Sequence, residues 1–306
     1  MIGSFLFMAC KESKTKEATS KEVIATPKIE EFRVVTNTMD FIAKDTLSAG
    51  WNKFIYENKS TEPHFILLDK YPEGKSIEDT HKDIVPPFDE GMALIMEGKN
   101  DEAMEAFGKL PEWFAEIVFL GGTGLVSPGN TAISHIKMEP GYYIMECYVK
   151  MPDGKFHTSM GMTKELFVLA DDNGTVPPEA NIEVKLSSTE GIRFEGDFAK
   201  GTNIFQVEYE DQIVHENFVG HDISLVMISE GADLEALEGW MNWATPKGLM
   251  SATLPEGFTF LGGTNDAPEG SIQYFEAKLG PGDYAFISEV PNALSKGMLL
   301  TFSVVE

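Results

Sequence analysis

The chain has 306 residues, enough for two ordinary domains, and its composition, 42% apolar and 24% charged, is that of a folded globular protein rather than a disordered one. With 49 acidic against 24 basic side chains the formal net charge is −25. Such a surface repels phosphate backbones and excludes nucleic acid as a partner class, while favouring basic proteins and metal cations. No stretch approaches the roughly 20 apolar residues that a membrane-spanning helix needs.

The chain begins with a short apolar run, residues 1–10, that ends in Ala9 and Cys10. This resembles the end of a bacterial lipoprotein signal peptide, in which the cysteine is acylated and becomes the mature N-terminus. The resemblance implies lipidation at Cys10, export, and anchoring in the bacterial periplasm or outer membrane. Residues 11–29 are rich in Lys, Glu, Ser and Thr and contain no aromatic residue. Such a segment buries too little apolar area to fold and reads as a disordered tether.

From there the pattern is β. Phe32 to Met39 and Lys53 to Asn58 are rich in β-branched and aromatic residues, with a turn expected at Ser48-Ala-Gly50 between them. His64 to Asp69, Glu116 to Leu120, Tyr142 to Val149 and Glu165 to Leu169 continue the series. One helix is expected over Asp101 to Phe107, with Asn100 as N-cap and Gly108 as the stop. Residues 171–179 are dense in turn and breaker residues and read as a linker. They separate a first domain over 30–170 from a second over 180–306.

The two domains are copies. Phe119-Leu-Gly-Gly-Thr123 recurs as Phe260-Leu-Gly-Gly-Thr264, an offset of 141, and Pro140-Gly with Tyr143 recurs at the same offset as Pro281-Gly with Tyr284. His64 matches His221, with Glu73 and Glu230 each nine residues further on, and Gly161-Met162 matches Gly297-Met298. The glycine pairs in the first motif are expected to be turns. The first copy is longer between its histidine and that motif, and the excess falls in the helical segment. Its shorter counterpart is Asp233 to Trp240. The fold class expected is all-β, two tandem Greek-key sandwiches with a short helical insertion in each.

The first copy also carries soft metal donors. A type-1 copper site needs two imidazoles and a thiolate in a trigonal plane, with a weak axial thioether. His64 leads into an apolar strand; Cys147 ends a later strand; His157 and Gly161-Met162 follow before the last strand. This order resembles the cupredoxin family, from the Ala-Gly pair at 49–50 through Asn58 and His64 to the terminal Gly-Met. The resemblance implies copper as cofactor, His64 and His157 as imidazole ligands, Cys147 as thiolate and Met162 as axial thioether. Met160 competes for the axial place.

Nine residues separate Cys147 from His157, where that family uses few. Met151-Pro-Asp-Gly154 is a β-turn signal, and a small hairpin closed there would return position 157 to 148 or 149. His64 and Met162 have twins, His221 and Met298, in a copy whose counterpart of Cys147 is Ser288. Both therefore admit a packing role, whereas Cys147 and His157 are unique to the first copy. His81, His135 and His215 match no pattern and are expected on the surface.

Three functions follow from this reading. The first is one-electron transfer by an exported copper protein with a basic redox partner; the second is a Cu(I) carrier or sensor; the third is a metal-free binding module. An enzyme is not expected: six histidines without a His-x-His pair cannot build the trinuclear cluster of a multicopper oxidase.

Overall fold

The structure, a computed structural model, describes Met1 and residues 31–305, so Cys10 and the tether over 11–29 lie outside the described residues. The first unit supplies β1 (Glu31–Thr36), β2 (Thr46–Asn58), β3 (Leu67–Lys70), β4 (Val118–Gly122), β5 (Thr131–Met138), β6 (Gly141–Glu146) and β7 (Thr163–Asp172). The second supplies β8 (Ile182–Ser187), β9 (Gly191–Gly196), β10 (Gly201–Tyr209), β11 (Ile223–Ile228), β12 (Phe258–Thr264), β13 (Ile272–Leu279), β14 (Gly282–Ile287) and β15 (Leu299–Val304). Strand β7 runs two residues into the segment read as linker, and Asn173 then ties that segment to β2 through bonds to Ala49 and Trp51.

The repeat is visible in the sheets. In the first unit the strands lie in the order β4-β3-β6-β7, and in the second β12-β11-β14-β15, equivalent strand for strand. Opposite them run β1-β2-β5 and β9-β8-β10-β13. The turn expected at Ser48-Ala-Gly50 is instead interior to β2. Residues 46–49 of β2 pair with β7 and residues 50–57 with β5, so one strand serves both layers of its sandwich. Gly50, at φ 102°, is the bend where it changes sheet.

The two sandwiches share a sheet, because β5 pairs with β13. These are equivalent strands of the repeat and run antiparallel. Ser134 pairs with Phe275, its own counterpart at the offset of 141, so a local two-fold axis passes between them. His135 and Glu276, also counterparts, meet across this axis with Nε2 2.7 Å from Oε1, and Lys53 Nζ lies 2.8 Å from the same oxygen. That bond, with help from Lys53, holds Glu276 down to about 2. His135 is therefore buried in the junction and not on the surface; His81 is exposed.

The helical insertion comprises α1 (Ile77–Asp79), a π-turn over Thr80–Ile84, α2 (Val85–Met96) and α3 (Asn100–Phe107). Only the last was expected. Pro86 and Pro87 stand in the first turn of α2, directly after the π-turn that leads into it. The insertion is held down by rings: Phe88 lies 5.3–5.8 Å from Phe107, Phe114, Phe156 and Phe218. In the second unit α4 (Leu234–Met241) starts on Asp233, whose carboxylate accepts from the N–H groups of Glu235 and Ala236.

Where the units meet, Tyr148 donates to Glu289, and Asp222 and Asp266 are buried with it. Burial raises Asp222 to about 6 and Asp266 to about 8. The folded state thus holds protons that the unfolded chain releases near pH 4. This contribution to stability is complete below that value and is lost as pH rises through about 6 to 8. The metal-free protein is expected to melt at lower temperature at about pH 8 than at about pH 6, and Asp266→Asn to flatten that slope. Thermal unfolding followed by circular dichroism across this range is the measurement; a slope unchanged in the variant would show that Asp266 is not the group responsible.

Candidate metal centre

His64 is fixed before its side chain is considered. Asn58 Nδ2 donates to the carbonyls of Glu62 and Val126, each at 2.8 Å, and its Oδ1 accepts from Ser60 Oγ at 2.7 Å. The segment thus folded delivers His64 to a two-way backbone bridge with Val126. Cys147 follows the end of β6, where alternation sends Tyr143, Met145, Cys147 and Val149 into the core.

The hairpin signalled at Met151-Pro-Asp-Gly154 forms. Met151 N–H bonds Lys155 O at 2.7 Å, Gly154 takes φ 88°, and Lys150 bridges Phe156. His157 N–H then bonds Val149 O and Thr158 N–H bonds Cys147 O, both at 2.9 Å. The nine-residue excursion therefore brings His157 back beside Cys147. A 3-10 turn over Thr158–Met160 and Gly161, at φ 95°, return the chain to β7, with Met162 N–H bonded to His157 O.

The three side chains converge. Nδ1 of His64 and Nδ1 of His157 are 3.0 Å apart, and Cys147 Sγ lies 3.8 and 3.6 Å from them. All three residues are completely buried. Donors at about 2.0–2.3 Å from a shared ion in a trigonal plane would stand about 3.5–3.8 Å apart. The triangle observed is close to that, and two imidazoles with one thiolate are the in-plane set of a type-1 copper site. Among the described residues no other group of three His, Cys, Asp or Glu side chains closes to this distance.

Burial sets the protonation. It lowers His64 to about 4 and, with His64 alongside, His157 to about 3, and it raises Cys147 to about 12. At neutral pH the metal-free cluster is therefore a thiol and two neutral imidazoles, and the 3.0 Å contact between the Nδ1 atoms has room for one proton. A bound cation would displace the thiol's proton, while the proton between the rings would move to the Nε2 of its own imidazole, leaving both Nδ1 atoms as donors. Glu62 Oε2 lies 3.4 Å from His157 Nε2, so a carboxylate stands behind that ring while Nδ1 faces the cluster. Asp40 acts in the same sense on His64. Neither acid was singled out in the sequence, although Glu62 stands only two residues before His64.

Met162 is fully buried in the same core as Cys147, whereas Met160 is 51% exposed. Of the two thioethers proposed for the axial place, only Met162 shares the closed surroundings of the triangle. In the second unit the equivalent place is filled by a hydrogen-bond chain. Lys296 Nζ lies 3.3 Å from His215 Nδ1, His215 Nε2 lies 3.1 Å from His221 Nδ1, and His221 Nε2 lies 2.8 Å from Asp211 O. His215 is thus half-buried and partnered, not a free surface residue. Ser288, in the place of Cys147, donates to Asp222 Oδ1 at 2.8 Å.

A thiol and two imidazoles gathered between β3, the end of β6 and the hairpin before β7, in one of two repeated sandwiches, decide the architecture. The fold is cupredoxin-like. No family model matches the chain, and no curated protein matches it. Among solved structures it is similar to the auracyanin of the photosynthetic bacterium Roseiflexus castenholzii, at 20% identity over 45% of this chain and 96% of that one, with a TM-score of 0.27. Auracyanin A of Chloroflexus aurantiacus, a "blue" copper protein, is similar at 15% identity over 46% of this chain and 100% of that one, with a TM-score of 0.29. The blue copper oxidase of Nitrosomonas europaea is similar at 13% identity over 90% of this chain and 85% of that one, with a TM-score of 0.25. At these scores the cupredoxin-like likeness adds nothing about function, and the functional reading rests on the triangle alone.

Proposed function

We propose that the chain is an exported, lipid-anchored copper protein that carries single electrons through His64, Cys147, His157 and Met162. The observation that carries this is the buried triangle of two Nδ1 atoms and one Sγ. Copper held there would supply a one-electron couple. The residues do the rest. Backbone bonds at His64, Cys147 and His157 fix the three donors before any ion arrives, so little need move between two oxidation states. Complete burial of the three excludes water and leaves no open position for a substrate, which favours electron transfer over catalysis at the metal. It also weighs against a Cu(I) carrier, whose ligands must be reachable by the protein that receives the ion. The charge of −25 would steer a basic redox partner.

The test is colour. The full chain loaded with Cu(II) is expected to turn intensely blue or green with one copper per chain. A colourless protein that retains only Cu(I) would favour the carrier, and a protein that retains no copper would leave the metal-free binding module.

A further inference from the structure

Along β6 and just beyond it, residues alternate between two environments. Cys147 faces the core of the first sandwich, while Glu146 and Tyr148 face the other way, into a cavity of about 100 Å³ under the helical insertion. We propose that this cavity binds a small alkylammonium cation, a site independent of the metal cluster and of its occupancy.

Four carboxylates line it, Asp69 and Glu146 from the first unit and Asp266 and Glu289 from the second. Asp69, Asp266 and Glu289 are 2%, 7% and 4% exposed. Among the described residues none of the four forms an ion pair, and a buried carboxyl without a counter-charge keeps its proton, as Asp266 does. Lys150, the buried lysine nearby, is turned to the carbonyls of Trp243 and Thr245 instead. Asp69 Oδ1 and Asp266 Oδ1 have no hydrogen-bond partner at all. Both oxygens are open acceptors, and an alkylammonium group donating to them would displace the protons that these buried carboxyls otherwise hold.

The walls select its kind. Phe88, Phe114 and Trp243 present ring surface to the cavity, which suits a diffuse organic cation better than a hydrated ion. The carboxylates do not gather to the spacing that the metal cluster shows, so one metal ion cannot close on three of them. A neutral apolar guest would leave both orphan oxygens unpaired, and an anion would be repelled. The volume admits several waters or a cation of a few heavy atoms. The π-turn contributes too: Thr80 and Ile84, its first and last residues, both line the cavity. Burial also raises Asp69 and Asp266, in line with carboxyls that lack a cation.

The probe is dimethylammonium chloride, titrated calorimetrically into the metal-free full-length protein, with Trp emission read in parallel. Saturable binding is expected, weakened at least about tenfold by Asp69→Asn and by Asp266→Asn. Potassium chloride at equal concentration should not compete. Absence of saturable heat in the wild-type protein would overturn the proposal without any variant, as would equal competition by potassium. So would binding that survives both substitutions in protein whose circular dichroism is native.

Discussion

Cys147→Ser is expected to abolish the intense colour of the Cu(II)-loaded protein and to weaken Cu(I) binding by more than about 100-fold, beyond the usual effect of losing an outer partner. The intense band of a type-1 site comes from the thiolate, and Cys147 Sγ is the only sulfur in the triangle. A serine hydroxyl in its place stays protonated and leaves two imidazoles 3.0 Å apart, a pair that still binds Cu(II) weakly and without that band. The folded state should suffer as well. Ser288 tolerates burial in the second unit because Asp222 accepts its proton at 2.8 Å. Asp222 follows His221 directly, whereas the residue that follows His64 is Phe65, so a serine at 147 meets no such acceptor. A cost of about 1–3 kcal/mol in the metal-free protein follows from the poorly matched hydroxyl. Absorption and metal content measured on the same sample decide the matter: undiminished colour in the variant would put the copper elsewhere.

Much of this centre was legible because its signals are local. The turn Met151 to Gly154 states in four residues where the chain doubles back, and the return of His157 to Val149 follows from counting along a hairpin. The repeat was legible for a related reason: identical short motifs at one offset become equivalent strands, β4 with β12 and β6 with β14. What escaped has distant causes. Nothing around His135 announces Glu276, its partner 141 residues away, so a junction residue looked like a surface one. The sheet shared through β5 and β13 is likewise invisible in the sequence, where neither strand was picked out. Helix α2 was not expected: it carries Pro86 and Pro87 in its first turn and no side-chain cap marks its start. Of the remaining expectations, lipidation at Cys10 concerns residues outside those described, and the basic partner concerns a second molecule.

The glycine pairs of the repeat carry the other large expected effect. Gly121-Gly122 and Gly262-Gly263 were expected to be turns, yet they lie within β4 and β12, where they allow backbones to touch. A Cβ on Gly122 would sit 1.6 Å from Ile66 O, and one on Gly263 would sit 2.0 Å from Ile223 O, the same contact in each unit. No rotamer relieves a clash between a Cβ and a carbonyl, so strands must part. Thr123 N–H, which bonds Ile66 O at 3.1 Å, and Thr123 Oγ1, which accepts from Ile66 N–H, move with them. Gly122→Ala is therefore expected to cost about 3 kcal/mol or more, about 6–12 °C in Tm for a chain of this size. His64 lies two residues before Ile66 on the displaced segment, so copper affinity should fall too, though less than in Cys147→Ser. Gly239→Ala supplies the contrast. That glycine is exposed within α4 and its Cβ would meet nothing within 4 Å. Here alanine should raise stability by about 0.5–1 kcal/mol through helix propensity and a less flexible unfolded chain. Opposite signs for the two substitutions in one denaturation series would separate close backbone approach from a general dislike of replacing glycine; a shared sign would refute the steric account of the repeat.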